Sequence, residues 1–309
     1  MRLLRFVPDN TNFDFIGKRY YAFAITGLLF LATIISLSVK GFNLGIDFKG
    51  GILIEARAAQ AFDLGAVREK LGGLGLGEVS LQTFGEPNDL LIRVERQEGG
   101  EQGQSRAVET IKQALGPGVE YRRTEVVGPK VSNELLIKGY VASALAVVAI
   151  AVYVAFRFEW QFGIAAFIAT LHDVVTTMGV FSICGLEFDL TAIAAILTIA
   201  GYSINDTVVV FDRIRENLRK YKTMPLADLF NLSVNETLSR TIMTSSTVML
   251  AVLALLVLGG PVIFNFNIAM LWGVVTGTYS SIYVAAALLL YVKPLRRTAA
   301  ASAAAPQKS

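Results

Sequence analysis

Apolar residues gather into six long runs along this chain, and one polar stretch, residues 41–135, parts the first run from the others. The first run, Tyr20–Val39, is bounded by Lys18-Arg19 and Lys40. A hydrocarbon layer about 30 Å thick takes around 20 helical residues to cross, so this run is long enough. It exceeds a secretory h-region and no small-x-small cleavage site follows it, which predicts an uncleaved anchor. The other runs are Leu136–Phe156, Phe162–Ile183, Leu190–Phe211, Ile242–Leu258 and Phe266–Val292. The last is longer than a straight crossing needs and predicts tilt or extension into the interface. The pattern divides the chain into an N-terminal segment at 1–19, a first transmembrane helix at 20–40, a soluble domain at 41–135 and transmembrane helices two to six at 136–293. The Ala-rich end at 294–309 is of low complexity and is expected to be a disordered cytoplasmic tail.

Within 41–135 the period shortens. Ile52–Ala56 predicts a strand after Gly50-Gly51, and Asp63 an N-cap for a helix through Leu71, with Leu64, Val67 and Leu71 on one face. Val79–Phe84 and Leu90–Glu95 predict strands joined by the turn-rich segment Gly85–Asp89. A second helix is expected over Gln104–Leu115 and a last strand over Val119–Val127. The order β-α-β-β-α-β matches the ferredoxin-like arrangement. The expected fold is therefore a polytopic α-helical membrane protein of six transmembrane helices, with an α+β ferredoxin-like extracytoplasmic domain between helices one and two.

Composition agrees. Hydrophobic residues make up 53% and charged residues 17%, against about 25% charged in soluble domains. Lone Cys184 excludes an intrachain disulfide framework, and lone His172 a zinc hydrolase site. The run Gly72–Gly77 follows a helix instead of a strand, so it reads as a connector, and no P-loop pattern occurs. Neither a metal nor an organic cofactor is expected, and nothing points to nucleic acid.

The position of the cations sets orientation. Arg2, Arg5, Lys18, Arg19, Arg157, Lys293, Arg296 and Arg297 fall on one side, together with Arg213, Arg215, Arg219, Lys220 and Lys222 after the fourth span. The turns Cys184–Asp189 and Gly259–Asn265 on the other side have no Lys or Arg. Both termini are expected in the cytoplasm. Arg213–Lys222 reads as a solvated positive-inside segment, and Leu226–Arg240 as an amphipathic helix lying on the lipid surface after Pro225.

Polar residues inside the spans carry the candidate chemistry. Span three holds His172-Asp173, with Thr170, Asp173 and Thr177 on one face. In span four, Thr198, Tyr202 and Asn205/Asp206 are three or four residues apart and are expected to share a face. An Asp at a span's centre costs about 2.5–3.5 kcal/mol on insertion scales, so it faces protein or a wet cavity. Asp206 falls five residues before the expected span end at Phe211, and Arg240 enters span five from the same side, so the two can meet. That pair reads as a proton relay, switched when Arg240 moves, as a static ion pair joining two helices, or as the product of a misplaced span boundary. His172-Asp173, Tyr202 and Asn205 are candidates for relay support, with a structural hydrogen-bonded pair the competing reading for His172-Asp173. Gly273 and Gly277 form a G-x-x-x-G that predicts close helix packing.

Five stretches resemble one family. They are Gly45–Gly51 (GIDFKGG), Val127–Val131 (VGPKV), His172-Asp173, Ile199–Asn217 (IAGYSINDTVVVFDRIREN) and Thr237–Thr247 (TLSRTIMTSST). Together they resemble the SecD–SecF family of bacterial protein export, and the length fits its smaller subunit. The resemblance implies an RND-like six-helix half in the inner membrane that pairs with SecD and associates with the SecYEG channel, YajC and, functionally, SecA. It implies a translocase subunit instead of an enzyme, with protons as the coupling ion, Asp206 and Arg240 on the proton path, and a translocating preprotein as cargo. Gly50, Gly51, Gly128 and Pro129, where the outer domain joins the spans, are the expected hinge. Two other readings suit the same architecture: half of an RND-type small-molecule or lipid exporter, and a passive scaffold of the translocase.

Overall fold

The computed structural model describes residues 11–83 and 85–292. The Ala-rich tail and the cations at Arg2, Arg5, Lys293, Arg296 and Arg297 lie outside them, as does Phe84 at the end of its expected strand. Six helices among the described residues are long and apolar enough to cross a membrane. They are α1 (Arg19–Val39), α5 (Pro129–Arg157), α6 (Trp160–Cys184), α7 (Leu190–Lys220), α8 (Leu226–Leu258) and the segment led by α9 (Phe264–Tyr279). After α9 the chain passes through a π-helical turn at Ser280–Ala285 and regains α geometry at Ala286–Leu288. Buried small residues line α6, α7 and α9, whereas α1, α5 and α8 expose many large apolar side chains, among them Leu28, Leu145 and Leu250. Gly273 lets α9 close on α7: a Cβ there would land on the Ile199 side chain, and one at Gly277 would sit 3.2 Å from Ser203 Cβ.

Two helices correct the expected boundaries. The helix that begins at Leu190 runs on through Lys220, so Arg213–Lys220 is not a loop. Asp212–Lys220 has no Gly or Pro, and Ile214 keeps the buried face going; charge marks where a chain leaves lipid, not where a helix stops. Likewise Leu226–Arg240 is the first part of one 33-residue helix and not a separate surface helix. At 1.5 Å per residue that helix is about 50 Å long, well beyond a 30 Å core. The overhanging ends of α7 and α8 pack on each other through Ile214, Leu229, Phe230 and Val234, and Asn217 Nδ2 donates to Ser233 Oγ (3.0 Å) and Glu236 Oε2 (2.7 Å). Residues 11–17 lie along α8 as a strap. Asn235 accepts from Phe13 N and donates to Phe13 O, both at 2.9 Å, and Asn231 Oδ1 accepts from Phe15 N at 2.8 Å.

The inserted domain carries β2 (Gly51–Ala58), α3 (Leu64–Gly72), β3 (Val79–Thr83), β4 (Asp89–Val94), α4 (Gly100–Leu115) and β5 (Val119–Val127), preceded by β1 (Asn43–Leu44) and α2 (Ile46–Lys49). Its four strands run antiparallel in the order β3-β4-β2-β5. Asp63 caps α3 by accepting from Gly65 N (2.9 Å) and Ala66 N (3.2 Å). Ile52, Ile54, Leu71, Leu90, Ile92 and Ile111 form the core between helices and sheet. The domain ends at Gly128, several residues before the expected 135, because α5 starts at Pro129, a residue suited to a first helical position. In the α6–α7 turn, β6 (Glu187–Phe188) pairs in parallel with β1.

Candidate functional site

Two apolar clusters fill the bundle. One, around Phe162, Phe211 and Phe230, lies toward the end carrying the strap; the other, around Phe181, Ile196 and Met270, lies toward the inserted domain. Between them is a layer of polar side chains. On α6 it holds His172 and Asp173, on α7 Ser203, Asp206 and Thr207, on α8 Ser245, and at the end of α9 and in the π-helical turn Ser280 and Ser281, all buried. A polar group in this position must find protein partners, since neither lipid nor water reaches it.

Asp173 finds three. His172 Nδ1 lies 2.8 Å from Oδ1, and Ser203 Oγ and Ser280 Oγ donate to Oδ2 at 2.5 and 2.7 Å. The π-helical turn aims Ser280 at this carboxylate while Ser281 meets Thr207 at 2.8 Å. Thr177 and Thr176 donate back to the Asp173 carbonyl within α6, and Thr170 is buried on the same face. With Nδ1 spent on Asp173, His172 Nε2 is buried without a hydrogen-bond partner among the described residues, its ring against Phe30 and Tyr279.

Asp206 is held more loosely. Thr244 Oγ1 lies 3.2 Å from Oδ1 and Ser245 Oγ 3.4 Å from Oδ2, both from α8. Ser245 accepts from the Tyr202 hydroxyl (3.0 Å) and meets Thr278 Oγ1 at 2.6 Å. The Thr244 hydroxyl has one proton and three acceptors in reach: Asp206, the Arg240 carbonyl (3.1 Å) and the Thr241 carbonyl (2.9 Å). It can leave the carboxylate for its own helix backbone at little cost, because each alternative is a hydrogen bond of similar length. Asp206 is thus a buried carboxylate whose partners are hydroxyls that can re-aim.

The expected Asp206–Arg240 contact is not made. No ion pair within 4.0 Å joins them among the described residues; Arg240 is exposed, one helical turn before Thr244. Depth is not the reason, since Thr244, one turn on from Arg240, reaches Asp206 at 3.2 Å; Arg240 lies on the exposed side of α8 whereas Asp206 is buried. The shared face on α7 also divides. Thr198 and Asn205, seven residues apart, are both exposed, whereas Asp206 is buried with Tyr202 half-buried beside it. Thr198 bonds its own backbone at Ala194 (2.7 Å).

Ser203, Thr244, Ser245, Thr278 and Ser280 escaped the sequence reading. Their signal is a density of Ser and Thr inside apolar runs, as in Thr244–Thr247 and Thr276–Ser281, which reads equally well as helix packing. Gly50 and Gly51 take φ of +74° and +135°, and a Cβ at Gly51 would stand 2.6 Å from the Val94 carbonyl. Their glycine identity answers this close approach to β4 and the backbone conformation. Gly128 is the extended N-cap before Pro129 at the start of α5.

The chain is similar to known proteins over almost its whole length. Residues 107–294 match the family described as protein export membrane protein SecD/SecF, C-terminal, and residues 35–61 match the SecD/SecF GG motif. A protein translocase subunit SecF from Rhodobacter capsulatus is 47% identical over 94% of this chain and 91% of its own. One from Rickettsia prowazekii is 45% identical over 93% of each. Among solved structures, SecDF of Thermus thermophilus, a translocon-associated membrane protein, superposes with a TM-score of 0.81 at 38% identity, covering 92% of this chain and 39% of that one. SecDF in its super-membrane-facing form gives 0.66 at 38% identity, over 96% and 40%. The chain spans about two fifths of each solved chain.

Proposed function

The chain belongs to the SecD/SecF family of protein-export membrane proteins, and on that premise we propose that it is a protein translocase subunit in which Asp206 exchanges a proton and thereby shifts α7 against α8. The observation that carries this reading is the buried Asp206 carboxylate, held between two apolar clusters by hydroxyls that have other acceptors. One proton crossing the membrane is worth about 2.3 kcal/mol per 100 mV. Gaining it removes the charge that Thr244 and Ser245 serve, so their protons turn to the α8 backbone and to Thr278. The contact between α7 and α8 then changes, which supplies the two-state element that coupling requires. Arg240, exposed beside Thr244, is the cation that swings toward Asp206 in the other state. Asp173, braced by His172, fastens α6 to α7 and to the π-helical turn, giving the moving helix a fixed support.

In this reading the chain is multi-pass in the bacterial inner membrane, with the strap end in the cytoplasm. The 41–128 domain, ferredoxin-like by its strand order, is outside and holds the emerging preprotein. SecD covers the exposed polar face of α7 and α8, and the pair works at the SecYEG channel beside YajC while SecA pushes from the cytoplasm.

The test is completion of a preprotein stalled midway, in vesicles carrying Asp206→Asn, with and without a proton gradient. Asn keeps the size and hydrogen bonding of Asp and cannot titrate. We expect the variant to assemble normally and to export at the parent's gradient-free rate whether or not a gradient is present. A variant still stimulated by the gradient would leave Asp206 a packing residue and favour the scaffold reading.

A further inference from the structure

The segment that leads from α1 into the inserted domain is docked on the start of α7. Asn43 and Leu44 pair with Glu187 and Phe188, Gly45 N donates to the Phe188 carbonyl at 2.9 Å, and Asp47 Oδ2 accepts from Leu190 N, the first residue of α7, at 2.9 Å. Phe42 stacks on Phe188 with ring centroids 4.5 Å apart, and Phe48 lies against the same ring. Gly45 leaves no slack, because a Cβ there would lie 2.9 Å from Glu187 Oε1 and 3.1 Å from Asp189 Cβ. So many contacts over so short a segment are those of a splint, not of a free linker.

The sheet is tied to the same place by a side chain of β4. Arg93 projects from β4 on the face away from α3 and α4, and its guanidinium is paired with Glu187. Elsewhere on this side the sheet stands off from the linker, leaving an open cleft of about 490 Å³ bordered by Leu44, Lys49, Ser80 and Arg96. The pair crosses the edge of that cleft and is mostly buried, with side-chain exposures of 27% for Arg93 and 15% for Glu187. Glu187 lies three residues after α6 (187 minus 184) and three before α7 (190 minus 187), and the linker that pairs with it also holds Leu190 through Asp47, so a shift or tilt of α7 reaches it.

We infer that the Arg93–Glu187 pair is a strut through which movement of α7 reaches the sheet of the inserted domain, so that this domain rides on α7. Arg93 and Glu187 are positioning residues: neither handles the proton or the cargo. The inference rests on the reading of Asp206 for what drives α7, while the strut itself rests on the contacts above. A partly buried charge left without its partner is costly, so either single charge reversal breaks the strut, and exchanging the two charges remakes it.

The experiment uses the whole export complex in vesicles. Arg93→Glu and Glu187→Arg each lose the gradient-stimulated part of export by about fivefold or more, the lower end of common coupling energies, at normal complex levels, and the exchanged double variant regains it. Joining Arg93→Cys to Glu187→Cys with a short bis-maleimide, in a Cys184→Ser background, leaves export working, as a strut requires. Single variants that export like the parent, or a cross-link that arrests export, would overturn the inference, the latter by showing a latch that has to open. A second readout does not depend on the gradient. Spin labels at Gln82→Cys on the sheet and Val262→Cys on the bundle give a narrow distance distribution in the parent, a broad one in Arg93→Glu and a narrow one again in the double variant. An unchanged distribution in Arg93→Glu refutes the strut. Loss of all gradient dependence in the parent refutes instead the reading of Asp206.

Discussion

Charged side chains in this protein are placed by what the burial of each demands. Asp89 is a surface-domain case: Arg57, its direct cross-strand partner, donates to it from both Nε and Nη2. That pairing, with Arg122 adding its charge, holds the Asp89 carboxyl below the usual carboxylate range. A depressed folded value means that stability is present above the ordinary carboxylate pKa of about 3.9 and lost as pH falls through the folded value. Asp89→Asn should therefore weaken the sheet by about 1.5–3 kcal/mol at neutral pH, the worth of hydrogen bonds to a charged group. The difference from the parent should shrink toward zero in acid. Hydrogen exchange over Gly51–Ala58 and Asp89–Val94 measures both. Asp206 and His172-Asp173 were legible in the sequence for the opposite reason: a titratable residue within an apolar run advertises itself. The hydroxyls that serve them were not, because Ser and Thr are tolerated inside transmembrane helices whether or not they have a partner. Arg240 was legible as a residue but not as to its side chain's placement, since spacing brings it within a turn of Thr244, a partner of Asp206, without telling which face of α8 it takes.

At the level of elements, periodicity located every long helix and most strands, and failed where a boundary was inferred from charge or where an element is too short to have a period. α7 and α8 outlast their apolar runs because the overhanging turns bury Ile214 and Phe230 against each other. β1 and β6 are two residues each and far apart in the chain, so no local pattern announces them. Where pattern and packing agree, the consequence is sharp. Gly273→Ala places a methyl group on the stiff, β-branched Ile199, and overpacking of this kind costs about 1–3 kcal/mol. Thermal unfolding of the purified protein in detergent should show the loss. Ile199→Ala, destabilising alone, should restore part of it in the double variant, because the two side chains compete for one space.

At the scale of the whole molecule, the exposed polar face of the bundle stands out. Polar residues facing lipid are expensive, and α7 exposes Thr198 and Asn205 as α8 exposes Arg240. If SecD covers this face, a maleimide should label Asn205→Cys, in a Cys184→Ser background, readily in the chain alone and slowly in the assembled complex. Equal labelling in both would put SecD elsewhere. The strap over α8 bears on how such a bundle is made. Phe13 is held by Asn235, 222 positions later in the chain. At 5–20 residues per second, roughly 10–45 s of synthesis separate the two. α1 can already pack on α6, where Ser36 Oγ meets Ser182 Oγ at 2.8 Å, but the strap must wait unfastened while the inserted domain, α5, α6 and α7 are translated, and it is tied only when α8 arrives. A ribosome that stalls before residue 235 leaves a protein whose N-terminal strap is still loose although its first helix is already docked, a partly fastened state that the finished chain does not share.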